Sequence, residues 1–115
     1  LTVAEVHFEQ YMNLRSSAGL KFVISMDTAQ WASVSEHLQE DDRIMAIHVR
    51  SGSWSAISDM AEHFQLLVDH SLFSDLNKQI HQARIGIALA GSEEIRPGLK
   101  DYDHLAEILE SLEVE

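Results

Sequence analysis

Small and polar residues gather at three points of the chain where an apolar segment gives way to a turn. Small residues let backbone N–H groups approach an anion, and a helix N-terminus adds partial positive charge. Arg50 supplies the only fixed positive charge of the set. The set predicts a site for an anion or a small molecule, and its residues are Asp27, Thr28, Arg50, Ser51, Gly52, Ser53, Trp54 and Ser92. The alternative hypothesis is that these residues only cap helices and form turns.

The motifs of common catalytic and nucleotide-binding sites do not occur in the sequence. The loop 51–55 lacks the Lys-Ser/Thr pair of a P-loop, and no GxGxxG or GxSxG is present. Asp69, His70 and Ser71 have the residue types of a hydrolase triad, but consecutive residues cannot align acid, base and nucleophile. The chain has no cysteine, hence no thiol nucleophile or disulfide framework. We expect no catalytic residue and no cofactor, and favour a non-enzymatic function, although a site assembled from distant residues leaves no linear motif.

Seven histidines are many for 115 residues, but none belongs to an HExxH motif. Three acidic or acid–histidine pairs have helical spacing and offer two metal ligands each: Asp59 with His63, Glu36 with Glu40, and His104 with Glu107. A third ligand cannot be named, and such pairs also stabilise exposed helices, so we predict no metal site. His48 lies among apolar residues, which predicts a histidine satisfied by a neighbouring carbonyl.

The formal charge of −11 argues against a nucleic-acid surface and against docking on anionic membranes. The acid is concentrated at the C-terminus, where residues 93–115 contain eight acidic and two basic side chains, a net −6. Three of these acidic residues lie along the predicted last helix: Glu107, Glu110 and Glu113. They predict either a surface that meets a basic partner or a frayed, solvated helix end.

No targeting signal is evident along the chain. No apolar segment approaches the roughly 18 to 20 residues of a membrane span, and residues 1–10 contain no basic n-region. In the absence of a signal, the expected localisation is the cytoplasm.

The hydrophobic pattern predicts helices that alternate with strands. Residues 43–50 are apolar on both faces, which is typical of an inner strand covered on two sides. The predicted helices span about 3–14, 28–39, 57–69, 72–83 and 103–112, and the predicted strands span 20–26, 43–50 and 84–90.

Alternation of this kind predicts parallel β-α-β units with right-handed crossovers. We expect an α/β fold, a small single domain over residues 1–115 with a short, mainly parallel central sheet of three or more strands covered by helices. Residues 1–19 would form an N-terminal helix and turn, and 20–115 the alternating body. Three strands make a small sheet, so either a further strand lies within 1–20 or 92–100, or a partner covers the sheet edge.

The order of elements over residues 20–112 is similar to that of STAS or SpoIIAA-like domains, small α/β modules used for regulatory contacts and ligand sensing. The serine-rich helix start of this chain, 51–55, does not reproduce the phosphoacceptor motif of those domains. A non-enzymatic interaction or regulatory module is favoured by the missing catalytic motif, by the short sheet and by four bulky aromatic residues, Trp31, Trp54, Phe64 and Phe73. Such a module would pair with itself, as a homodimer, or with another protein.

Two other functions remain open: a small-molecule or anion-binding domain, and an acidic mimic that binds a basic protein. A pH effect is also predicted, because charging all seven histidines would change the net charge from −11 to −4. Since the ordinary histidine pKa is near 6.5, self-association should strengthen towards about pH 5.5.

Overall fold

A computed structural model describes residues 2–83, 87–89 and 108. Within these residues, strands and helices alternate along the chain. The elements are β1 (Thr2–His7), α1 (Phe8–Leu14), β2 (Leu20–Met26), α2 (Trp31–Gln39), β3 (Ile44–Val49), α3 (Trp54–Ala61), β4 (Gln65–Val68), α4 (His70–Asp75), α5 (Asn77–Ala83) and β5 (Ile87–Leu89). A 3-10 turn, Thr28–Gln30, precedes α2.

The described strands form one sheet in the order β1-β2-β3-β4-β5, and every neighbouring pair is parallel. The expected α/β fold with a parallel central sheet is therefore confirmed. Each crossover moves one strand further in the same direction. Right-handed crossovers that all advance in one direction place all their helices on the same face of the sheet.

The buried residues show that the helices α1 to α5 share one face. A large core cluster joins one side of every described strand to residues of these helices, and it contains Tyr11 of α1, Leu38 of α2, Met60 of α3, Leu72 of α4 and Ile80 of α5. We call this side of the sheet the helical face.

The opposite side, which we call the second face, carries a separate and smaller apolar cluster. Its members are fully or almost fully buried, and they are Val23, Met45, Ala46, Leu67, Ala88 and Ile108. Ile108 comes from the C-terminal region and is itself helical and buried. The prediction that strand 43–50 is covered on both faces is confirmed. Strict alternation would place Met45 on the same face as Ile47. Met45 lies on the second face instead, because the register between β2 and β3 shifts beside it, between Phe22 and Val23.

The predicted helix 3–14 is wrong in its first half, because Thr2–His7 forms β1 and only Phe8–Leu14 is helical. Val3 and Val6 have helical spacing, but Ala4 and Val6 also alternate with Val3 and Glu5, as a strand requires. Residues 2–7 pair in continuous register with 20–25 of β2, and these interstrand hydrogen bonds decide between the two patterns.

The helix predicted over 57–69 is also wrong in its second half, where Gln65–Val68 forms β4. The helix ends at Ala61, and the N–H groups of His63 and Phe64 still bond to the Met60 carbonyl. The apolar run Leu66 to Val68 is buried on both faces. Such a run fits a buried strand as well as a helix, so periodicity alone cannot decide.

The third predicted strand, 84–90, is described at Ile87–Leu89, where it is β5. The last predicted helix lies outside the described residues except for Ile108. In the described part of the chain, no helix is both long enough and apolar enough to cross a membrane.

Candidate functional site

The second face of the sheet changes from apolar to polar towards the carboxyl ends of the strands. Glu5 of β1, His48 of β3 and Asp69, directly after β4, lie at this end. We call these three side chains the Glu5–His48–Asp69 row. The side chain of His48 is 13% exposed, and those of Glu5 and Asp69 are 30% and 43% exposed. The row is therefore a solvent-accessible group beside the buried apolar cluster of the second face.

His48 is held on both sides by carboxylates. Its Nδ1 lies 2.7 Å from Glu5 Oε1, and its Nε2 lies 2.6 Å from Asp69 Oδ1. Both distances are short, as expected for hydrogen bonds between charged groups. The row thus joins β1 to β3 and to the chain that leaves β4, across the width of four strands.

Asp69 bonds to His48 instead of capping the helix that it precedes. It is the N-cap residue of α4 with an extended backbone, but its side chain makes no capping hydrogen bond. Aspartate is among the preferred N-cap residues, and such a cap typically stabilises a helix by about 1 kcal/mol. The side chain binds His48 instead, so the row is formed in preference to the local cap.

Ser25 is the β2 residue in register with His48. It pairs with His7 on β1 and with His48 on β3, whereas Glu5 pairs with Val23. Ser25 is 3% exposed, and within the described residues its hydroxyl has no hydrogen-bond partner.

The carboxylates favour the protonated form of His48. Burial lowers the pKa of His48, but the hydrogen bonds and negative charges of Glu5 and Asp69 outweigh burial and raise this pKa above 6.5. The His48 hydrogen bond in turn lowers the pKa of the Glu5 carboxyl below 4.5, against the effect of burial, and the charges of Arg50 and His7 contribute. Glu5 and His48 therefore each favour the charged form of the other.

This arrangement limits the chemistry that the row can perform. A general base must have a free ring nitrogen to accept a proton, and both nitrogens of His48 are occupied. The carboxylates lie on opposite nitrogens, so their oxygens do not converge on a point where a metal could bind. Each carboxylate uses one oxygen on His48 and can accept further hydrogen bonds through the other. The row is thus suited to binding a group that donates hydrogen bonds.

The structure brings together most of the residues that the sequence predicts as a site for an anion or a small molecule. The N–H of Thr28 donates to the Ser51 carbonyl (3.0 Å), and the N–H of Ser53 donates to Thr28 Oγ1 (3.2 Å). Asp27 accepts from the N–H of Ala29 (3.0 Å) and so caps the 3-10 turn. Gly52 has a φ of +149°, and a Cβ there would overlap the Thr28 side chain. These groups bond to one another, and whether they also bind an anion stays a prediction.

The other predicted site residues are separate from this loop contact. The Arg50 side chain is exposed, and its charge acts on Glu5, so Arg50 flanks the row. Trp54 begins α3 and packs, half-buried, against the helical core. Ser92, Glu107, Glu110 and Glu113 lie outside the described residues.

His48 is satisfied, as its sequence context predicts, but its partners are the carboxylates of Glu5 and Asp69 and not the predicted carbonyl. Glu5 falls in a predicted helix, and Asp69 stands out only beside its neighbours His70 and Ser71. Both partners become visible only when β1 and β4 are recognised as strands, because each then has a side-chain position on the second face. The unused N-cap of α4 is the one local signal, and it appears only in the structure.

A second polar network closes the amino-terminal end of the sheet. Tyr11 donates its hydroxyl to Asp41 (2.6 Å), and Arg43 donates to the same carboxylate from Nε (3.0 Å) and Nη2 (2.9 Å). Arg43 lowers the pKa of Asp41 to about 2, and burial together with Asp41 raises the pKa of Tyr11 to about 12. An open cavity of about 390 Å³ adjoins this network and is lined by Tyr11, Arg15, Ser16, His37, Glu40, Asp41 and Arg43. The carboxylate is occupied by its own neighbours, which indicates a structural role.

A third group lies at the end of α3. The exposed side chains of Asp59, Glu62 and His63 place one ligand atom each within 4.8 Å of the others. It is the one such convergence of three metal-ligating side chains among the described residues. The sequence indicated Asp59 and His63 as a two-ligand pair, and the structure adds Glu62.

Comparison with known protein families, with curated proteins and with solved structures gives no significant match to this chain.

Proposed function

We propose that this protein is a non-enzymatic interaction module that binds a basic segment of a partner protein through the Glu5–His48–Asp69 row. The observation that carries the proposal is the position of the row. Two partly exposed carboxylates flank one histidine, next to the buried apolar cluster of the second face. Arginine and lysine side chains are the donors that such carboxylates accept most strongly.

The geometry supports binding in preference to acid–base catalysis. His48 fixes one oxygen of each carboxylate, so the remaining oxygens of Glu5 and Asp69 are held in place before a partner arrives. Groups that are already ordered lose less conformational entropy on binding. Asp69 gives up the α4 cap to take this position, which is a local cost that a purely structural acid need not bear.

The charge of the whole chain supports the choice of a basic partner. A net charge of −11 repels a second copy of the chain and attracts a cationic segment at long range. The expected similarity of element order to STAS or SpoIIAA-like domains agrees with a regulatory contact, although an analogy of fold carries little information about function.

The strand order provides a further argument, against the alternative of a ligand site at the strand ends. Open α/β sheets bind ligands in the crevice where the strand order reverses. The described strands, in the order β1-β2-β3-β4-β5, have no reversal, and their helices share one face. The loops at the strand ends are also bonded to each other through Thr28.

The proposal can be tested by titrating the ¹⁵N-labelled chain with an octa-arginine peptide at low and high salt. We expect chemical-shift changes centred on Glu5, His48 and Asp69, and an affinity that falls as salt rises. The double variant Glu5→Gln, Asp69→Asn should weaken binding by about tenfold or more, on the scale of two lost charge-assisted hydrogen bonds.

The matched control is Glu9→Gln, Glu36→Gln, which removes two carboxylates from α1 and α2, away from the row. Both double variants have the same net charge. If both weaken the peptide equally, attraction to net charge alone explains the binding and the proposal is wrong. Stabilisation by phosphate that is lost in Arg50→Ala would instead favour the anion-binding alternative. Sedimentation of a dimer, with no peptide binding, would favour self-association.

A further inference from the structure

We propose that Asp59, Glu62 and His63 form a binding site for a divalent transition metal, with Zn²⁺ as the ion whose ligands they match best. The site is independent of the proposed interaction surface. The Glu5–His48–Asp69 row lies on the second face near the carboxyl ends of the strands. The end of α3 lies on the helical face, after the helix has returned to the amino-terminal end of the sheet.

The donor set is specific in kind and in geometry. Carboxylates and imidazole are both zinc ligands, and zinc sites with three protein ligands keep a fourth position for water. Their ligand atoms lie within 4.8 Å of one another, so one ion can reach all three after small side-chain rotations. The imidazole separates this group from an ordinary cluster of surface acids, because imidazole favours zinc, copper and nickel over magnesium and calcium.

The backbone of this segment adds to the attraction for a cation. Asp59 lies in the last turn of α3, and Glu62 is its C-cap. The carbonyl end of a helix carries partial negative charge, which favours a cation nearby. The N–H of His63 bonds to the Met60 carbonyl (3.0 Å), so the turn that carries His63 is fixed to the helix end.

Trp31 of α2 positions one of the three ligands from outside the group. Its indole Nε1 donates to Asp59 Oδ2 (2.7 Å), which leaves the other oxygen of Asp59 for a metal. Hydrogen bonds of this kind orient metal ligands and typically change metal affinity by about 10- to 100-fold. The Trp31 and His63 rings also lie beside each other, with centroids 6.2 Å apart. Trp31 is 6% exposed, so its indole is a fixed support for the site.

This packing also makes Trp31 a reporter of metal binding. A Zn²⁺ ion bound by Asp59 and His63 would lie next to the indole and would change the resonance of its Nε1–H group. The experiment is a titration of the ¹⁵N-labelled chain with Zn²⁺ that follows the histidine ring nitrogens and the two indole N–H signals, with calorimetry for the affinity. We expect saturable 1:1 binding that shifts the His63 ring and the Trp31 indole, while Trp54 stays unchanged.

Two variants test the ligands, and two matched controls test their specificity. His63→Ala and Asp59→Asn should each weaken Zn²⁺ binding by about tenfold or more. The amide introduced by Asp59→Asn retains an oxygen acceptor for the indole, so a loss of affinity there reports the lost charge and not a disturbed Trp31. His70→Ala and Glu36→Gln, which remove a histidine and an acid elsewhere in the chain, should leave the affinity within about twofold.

The proposal is overturned if Zn²⁺ shifts several histidines to the same extent without saturation. Unchanged affinity in His63→Ala would also overturn it. Mg²⁺ in place of Zn²⁺ should produce no shift of the His63 ring, and an equal response to both ions would show a general attraction of cations to surface acids.

Discussion

A histidine between two carboxylates ties together strands that are not neighbours in the sheet. Glu5 and His48 lie on β1 and β3, which are separated by β2, and their side chains bond across it. Residue type alone did not predict this contact, because each of the three side chains has a common local role as a surface acid, a core histidine or a helix cap. The contact depends on the register of three strand pairs, which places the side chains on one face.

The state of His48 predicts a pH dependence of stability. Its folded pKa is raised, so its contribution is complete below the ordinary value of about 6.5 and is lost as pH rises through the folded pKa. The lowered pKa of Glu5 adds stability above 4.5, which is lost as pH falls through the folded value. Urea unfolding of wild type and His48→Gln should differ by about 1 kcal/mol more at pH 5.5 than at pH 9. An equal difference at both pH values would mean that His48 stabilises the fold by packing alone.

At the scale of elements, the two wrong helix predictions have the same physical origin. β1 and β4 carry apolar residues whose spacing fits a helix and a strand equally well, and both are short. Local propensity cannot choose between such patterns, whereas hydrogen bonding along a neighbouring strand can. The strand Leu20–Met26 was predicted with its observed bounds, because its β-branched residues and flanking turns leave no helical alternative.

The loop that joins β3 to α3 depends on Gly52, and Gly19 offers a matched comparison. Both have positive φ, but a Cβ at Gly19 would meet open space, whereas a Cβ at Gly52 would overlap Thr28. We expect Gly19→Ala to lower the free energy of unfolding by about 1 kcal/mol, from backbone strain alone. Gly52→Ala should lower it by about 3 kcal/mol, because the backbone strain and the overlap with Thr28 add. Urea unfolding measures both, and equal costs would show that the Thr28 contact relaxes freely.

At the scale of the molecule, the sequential strand order decides which surfaces exist. It puts the helices α1 to α5 on one face and leaves the second face to be covered by other means. Ile108 packs there and is fully buried, in contact with the cluster of Val23, Met45, Ala46, Leu67 and Ala88. The fold therefore has a second apolar core, although it is smaller than the first.

This second core predicts a large effect from one residue of the C-terminal region. Ile108→Ala should lower the free energy of unfolding by about 3 kcal/mol, as expected for a large-to-small change in a packed core. A cost below about 1 kcal/mol, measured by thermal or urea unfolding, would mean that the second face does not depend on Ile108. Ile80→Ala on the helical face is the control. Ile80 is 1% exposed, so this substitution should lower the free energy of unfolding by a similar amount.

The sequence by itself determined the fold class, the parallel sense of the strands and the inner position of β3. These follow from local periodicity and from the handedness of β-α-β crossovers, which each segment carries independently. It also supplied the charge of −11 and the concentration of acid in residues 93–115. Only the tertiary structure decided that residues 2–7 and 65–68 are strands, that the described strands follow one another without a reversal, and that His48 binds Glu5 and Asp69. These depend on strand pairing between segments roughly 20 residues apart, and a local pattern contains no information about which side chains such pairing brings onto one face.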